Sequence, residues 1–290
     1  MAWGVLGEKS MELFGSTALD ALVEWTRART NDERLRLAEA TLPTLVRLGA
    51  GARTIGDRGP RPAETLILYE REGCPFSRRV REALAMLDLD ARIKPVPRGS
   101  VRHARELIAL TGDIEIPVMV DPAMGVVLAG TDAILPHLFQ HYGRGHVPLR
   151  LRENVTSKLA SRLRSGRGQD GRPSIAPSRA LELTGYEASP ATRLVRETLD
   201  ELELPYLSRP LAPHSPRRRA YFAEEGTMEL PRLEDPAAGI TLYGAAAICS
   251  YLERTYAFGP ERGIDAGAPD ERTVPTTQAR RATQIEERPR

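Results

Sequence analysis

A thirteen-residue pattern occurs twice in this chain, as LILYEREGCPFSR from Leu66 and as LELTGYEASPATR from Leu181, with Ser189 standing 115 positions after Cys74. Whatever unit accommodates one copy must accommodate the other, so the chain is an internal duplication. Both copies keep the frame of a strand, a turn, a proline and a helix, but the residue before the proline is Cys74 in one and Ser189 in the other. The likeness continues as EIPVMVDPAMGVVLAGTDAI from Glu115 against ELPRLEDPAAGITLYGAAAI from Glu229. Two repeats of about 80 residues are too few for a solenoid and suit two small domains.

The patterns inside the first copy define an order of elements. LILYE is a short strand with apolar residues on both faces, and SRRVREALAML places Val80, Leu84 and Leu87 at helical spacing. ARIKPVP is a second strand, SVRHARELIAL a helix, IPVMVD and VVLAG two strands about a tight turn, and a last helix starts near Thr131. In the resulting β-α-β-α-β-β-α order, the crossover helix makes the first two strands parallel and the short turn makes the last two antiparallel. The expected organisation is a helical extension over residues 1–60, a first unit over 61–146, a linker with a short helix over 147–178, a second unit over 179–258 and a disordered tail over 259–290. Within the extension, Asn31 or Asp32 is the expected cap of the second helix. Ser165 to Ser178, rich in Gly, Arg and Pro, reads as flexible.

Composition narrows the function classes. No apolar run approaches the roughly 20 residues of a spanning helix, and the charged N-terminus is unlike a signal peptide, so a cytoplasmic protein without membrane contacts is expected. The net charge of +2 gives no electrostatic case for nucleic acid. Two cysteines, Cys74 and Cys249, are too few for a disulfide framework or a four-cysteine zinc site. His137 and His141 share a helix face at i and i+4 without an accompanying carboxylate or cysteine pattern, so they are read as surface histidines and no metal is expected. Cys249, mid-helix, reads as a small apolar residue.

The thiol of Cys74 is placed at the first turn of a helix, where unpaired amides and the helix dipole favour a thiolate, the nucleophile of disulfide exchange. Pro75 suits that turn because it has no N–H to leave unsatisfied. Arg71, Arg78 and Arg79 are either cations acting on the thiol or simply the exposed helix face. Ser77 stands where a C-x-x-C pair would carry its second cysteine, so resolution needs an external thiol.

Through Cys74-Pro75-Phe76-Ser77, Ile116-Pro117-Val118 and the Thr131-Asp132-Ala133-Ile134 helix start, both units resemble the thioredoxin-like N-terminal domain of glutathione S-transferases and glutaredoxins. The tandem arrangement is similar to bacterial proteins carrying two such domains. The resemblance implies an α/β fold of two tandem thioredoxin-like domains. It further implies a cis Pro117 that exposes the backbone of Ile116 to an extended peptide such as glutathione, with Pro75 and Phe76 beside it. Thr131 and Asp132 would cap the last helix and hold the γ-glutamyl carboxylate. Gly130 and Thr131 replace the family's usual acidic residue and serine, and Gly244 and Ala245 replace them in the second unit. Ser189 is then either a helix N-cap in a degenerate unit or part of a second glutathione site. The implied activity is a glutathione-dependent thiol-disulfide oxidoreductase of monothiol glutaredoxin type, with Cys74 and Ser77 as catalytic positions, glutathione as co-substrate and self-association left open. The alternative is a non-catalytic binding or assembly module of the same fold.

Overall fold

The computed structural model describes residues 30–47, 49–56, 58–152, 155–162 and 167–258. The helix expected ahead of residue 30 and the tail after residue 258 lie outside them. Helix α1 (Asn31–Val46) is capped by Thr30 rather than by Asn31 or Asp32, because Thr30 and Glu33 exchange side-chain bonds with each other's amides in a capping box. The first unit runs β1 (Leu66–Glu70), α2 (Pro75–Leu87), β2 (Ala91–Pro95), α3 (Arg102–Thr111), β3 (Val118–Asp121), β4 (Val126–Ala129) and α4 (Thr131–Tyr142). Two short helices follow, α5 (Leu149–Arg152) and α6 (Val155–Arg162). The second unit repeats the order with β5 (Leu181–Gly185), α7 (Pro190–Glu201), β6 (Tyr206–Pro210), α8 (Arg217–Glu225), β7 (Arg232–Asp235), β8 (Ile240–Tyr243) and α9 (Ala245–Tyr256). β1 pairs with β2 in parallel and β3 with β4 antiparallel, as the crossover and the tight turn require. No helix among the described residues is long and apolar enough to cross a membrane.

The two units share one sheet, in the order β4-β3-β1-β2-β6-β5-β7-β8. Strands β2 and β6, each the edge of its own unit, cover one another antiparallel. Arg92 pairs with Leu207, its own counterpart in the other copy, so an approximate two-fold axis passes through that pair. The main apolar core is shared by the two units and runs from Leu66, Leu84, Ile134 and Phe139 in the first to Leu181, Leu199, Ile248 and Leu252 in the second.

The segments preceding each unit are exchanged. Helix α1, ahead of the first unit, packs on α7 of the second; α6, ahead of the second, packs on α2 of the first; and α1 and α6 touch each other. From residue 167 onward the expected flexible linker is instead tied down. Gly73 N–H donates to Gly168 O, Arg98 N–H to Gln169 O, Arg172 N–H to Glu201 O and Ile175 N–H to Tyr256 O. Gly168 and Gly171 of that stretch are sites of close approach: a Cβ on Gly168 would lie 3.1 Å from Glu72 Cβ, and one on Gly171 would lie 3.1 Å from Pro97 Cγ.

Charged side chains are buried about the two-fold. Glu72 and Glu187, each two residues before the Cys74 or Ser189 position, accept from arginines of both units. Arg81 reaches Glu72 at 3.0 Å and Glu187 at 3.1 Å, and Arg196 reaches Glu72 at 2.8 Å and Glu187 at 3.1 Å. Burial alone would raise the Glu72 carboxyl, but Arg196, Arg81 and Arg78 outweigh it and hold it well below the usual carboxylate range. The symmetry is broken at one pair of positions. Glu70 and Asp200 lie close in one half, where burial raises both carboxyls and the charge of Glu70 adds to the rise at Asp200. Their counterparts Gly185 and Ala85 are small and line a cavity of about 30 Å³ shared with Thr192, Ser208 and the Arg81 and Arg196 side chains.

Burial pushes Glu70 up to about 7, with Arg81 opposing and Glu72 and Glu187 adding, against an ordinary value of 4.5. The folded chain therefore holds this proton more tightly than the unfolded chain. The contribution favours folding at low pH and is lost as pH climbs from about 4.5 through about 7. Glu70→Gln should flatten the fall in urea-unfolding free energy across that window; an unchanged slope would remove Glu70 as its source.

Candidate functional site

Cys74 occupies the N-cap of α2, with φ −80° and Pro75 in the first helical position, and the turn closes through Cys74 N–H donating to Arg71 O at 3.0 Å. The thiol accepts no bond from the first-turn amides and the residue is 6% exposed. Ser77 is fully buried, and its Oγ accepts from Arg71 N–H at 3.4 Å. The serine that replaces a second cysteine thus braces the turn from inside and does not face solvent.

Around this turn stand the groups that the sequence pattern singled out. The Ile116-Pro117 bond is cis, as is its counterpart Leu230-Pro231. Pro117 O accepts from Gly130 N–H at 2.9 Å, and Thr131 Oγ1 donates to Phe76 O at 3.4 Å. The proline loop, the start of α4 and the first turn of α2 are therefore joined. Phe76 and Asp132 are exposed and Ile116 is half-buried, so this edge opens to solvent. One expectation is corrected: Gly130, at φ 78°, is the N-cap of α4, and neither Thr131 nor Asp132 caps it with a side chain. A backbone turn at positive φ favours glycine, which has no side chain with which to cap the helix.

The helix-face arginines are also not exposed. Arg78 and Arg79 are buried; Arg79 Nε donates to Leu151 O of α5 at 2.6 Å, and Arg78 joins the inter-unit network through Glu187 at 3.9 Å. Beyond Phe76, α2 is largely covered, with α4, α5 and α6 packed on it. Arg71 is half-buried rather than buried, and its Nε, like that of Arg78, has no hydrogen-bond partner among the described residues. It stands where the second unit has Tyr186, which packs with Ala188, Ala212 and Leu230 beside the second cis proline.

The second unit keeps the frame and closes the site. Ser189 Oγ accepts from Thr192 N–H at 3.2 Å, an N-cap bond. Helix α1 lies across it, with Thr44 Oγ1 donating to Ala188 O at 2.9 Å and Arg193 reaching Thr44 Oγ1 at 3.0 Å. Ala52 packs on Tyr186, Ala188 and Leu230, and every residue from Leu183 to Pro190 is buried.

His137 is not a free surface histidine. It lies 2.8 Å from Asp121, which also accepts from Tyr142 Oη at 2.5 Å. The second unit holds Asp235 in the same way with Tyr251 and Tyr256, so the arrangement anchors the last helix to the sheet in both copies. No group of three or more His, Cys, Asp or Glu side chains among the described residues is placed to hold a metal ion.

A sequence model described as glutathione S-transferase, N-terminal domain, matches the chain twice, over residues 68–146 and 183–262. The chain belongs to this family. Neither the curated proteins nor the solved structures gave a significant match. The two matched stretches coincide with the two units of the sheet, so the glutathione S-transferase N-terminal domain occurs here as a fused pair of thioredoxin-like folds. The buried Glu72 and Glu187 network escaped sequence reasoning, although E-x-C-P-x-x-R-x-V-R-E and E-x-S-P-x-x-R-x-V-R-E repeat its charges in both copies.

Burial pushes the Cys249 thiol up to about 12, with Thr198 only partly opposing. Iodoacetamide labelling of the folded protein should leave Cys249 unmodified at pH 8 by peptide mass spectrometry, the yield growing with each further pH unit. Rapid labelling of Cys249 at pH 8 would contradict this environment.

Proposed function

We propose that this protein is a glutathione-dependent thiol-disulfide oxidoreductase of monothiol type, working through the first unit alone. The observation that carries the reading is the contrast between equivalent positions. Cys74 lies beside an edge where Phe76, Ile116 and Asp132 reach solvent, whereas Ser189 is sealed beneath α1 and Ala52. Glutathione would lie extended along the backbone of Ile116, its peptide groups pairing as an added strand, with Pro75, Phe76 and the start of α4 at Thr131 and Asp132 flanking it. Arg71 offers the cation for a carboxylate of the tripeptide.

In the proposed cycle the Cys74 thiolate attacks the glutathionyl sulfur of a mixed disulfide. The S–S bond breaks, the substrate thiolate leaves and takes a proton from water, and a Cys74–glutathione disulfide remains. A second glutathione thiolate attacks that disulfide, giving oxidised glutathione and restoring the Cys74 thiolate. Ser77 cannot resolve the intermediate, which makes the external thiol obligatory. The low exposure of Cys74 favours a second reading, a binding or assembly module without turnover. A cytoplasmic location, where glutathione keeps thiols reduced, suits the enzyme reading.

Deglutathionylation of a mixed-disulfide substrate should be abolished in Cys74→Ser and unchanged in Ser189→Ala. Glutathione titration should give one site per chain. Equal turnover in wild type and Cys74→Ser would defeat the mechanism, and binding without turnover would leave the module.

A further inference from the structure

Helix α6 belongs to neither thioredoxin-like unit, yet it borders the Cys74 turn. Ser157 Oγ donates to Pro75 O at 2.7 Å, and Lys158 Nζ stands 6.0 Å from the centre of the Phe76 ring. Ser157, Ala160 and Ser161 face inward, which leaves Val155, Lys158 and Leu159 together on the outer face. Val155 is 76% exposed and Leu159 48%, beside Phe76 at 39%. Large apolar side chains left this open beside a nucleophile form a rim that a partner can cover.

Cations gather along the rim on the α5 and α6 side. Lys158 makes no ion pair among the described residues, and its ammonium faces the Phe76 ring. Arg150 and Arg152 lie on the adjoining α5 and Arg162 ends α6. A cation over an aromatic ring, flanked by two aliphatic side chains, is complementary to an apolar group carrying a carboxylate or sulfonate.

We propose that this α6 rim, with Lys158 as its specificity-determining residue, receives the second substrate, and that this substrate is a small apolar or aromatic thiol bearing an anionic group. The inference rests on the reading of Cys74 as the nucleophile: glutathione takes the Ile116 side of the turn and the leaving thiol the Phe76 side.

Two measurements test it. The first compares glutathione mixed disulfides of 4-mercaptobenzoate and of uncharged thiophenol, with wild type, Lys158→Glu and Arg105→Glu, the last a charge reversal at an exposed position on α3. Lys158→Glu should raise KM for the benzoate disulfide about fivefold while leaving its kcat, and both constants for the thiophenol disulfide, unchanged. Arg105→Glu should change neither substrate. Equal effects of Lys158→Glu on the two substrates, or none, would overturn the proposal. The second measurement needs no turnover: fluorescence titration with anilinonaphthalene sulfonate, an aromatic anion. Binding should weaken about fivefold in Lys158→Glu and persist in Cys74→Ser and Arg105→Glu. If wild type turns over neither disulfide, the catalytic reading falls and the titration alone decides the rim. Dye binding that is insensitive to Lys158→Glu would then overturn it.

Discussion

Two glutamates and two arginines, one of each from either copy, hold this molecule in its arrangement. Glu72 and Glu187 each accept from Arg81 and Arg196, so neither copy can satisfy its own buried charges without the other. Charges so far from water are tolerated only when paired, and removing one partner of a buried pair costs about 3–5 kcal/mol. The requirement explains why the β2 and β6 edges meet: their pairing brings the two helix starts, and with them the two glutamates, to the axis. It also fixes the Cys74 turn, because Glu72 sits two residues before the thiol and is gripped by an arginine of the second unit.

The duplication has therefore produced a division of labour. By retaining the fold, the second unit supplies a matching sheet edge and the charges that complete the network. Its own helix start is covered by α1 and Ala52, and Ser189 caps its helix. The exchange of leading helices makes the division reciprocal, since α6, which belongs in sequence with the second repeat, shapes the border of the first repeat's site. Fusion also permits asymmetry that a true homodimer could not hold. Glu70 and Asp200 crowd one half of the interface, while Gly185 and Ala85 leave a small cavity in the other.

Much of this was legible in the amino-acid sequence. The spacing of Val80, Leu84 and Leu87, the Asp-Pro-x-x-Gly turns and the x-Pro strands define both units, their strand directions and the turn that carries Cys74. The sheet continuing across the copies was not legible, because an edge strand such as ARIKP bears no mark of what will cover it. Arg78 and Arg79 read as solvent-facing because arginine is rarely buried, and only Glu187 beside Arg78 and the Leu151 carbonyl beside Arg79, both distant in sequence, reverse that expectation. The linker misled for a related reason: its glycines serve close packing against Glu72 and Pro97, which composition alone does not distinguish from flexibility. Gly130 shows the same limit at the site, where a backbone turn took the capping position expected of side chains.

The second unit holds the Cys74 turn in place through Glu187 and its arginines. Amide hydrogen exchange at Gly73 and Cys74, compared between wild type and Glu187→Gln under native conditions, tests it most directly. Loss of protection at these amides, more than 100 positions away in sequence, is the predicted result. Unchanged protection at Gly73 and Cys74, in a variant whose second unit has loosened, would mean that the first unit holds its turn without help.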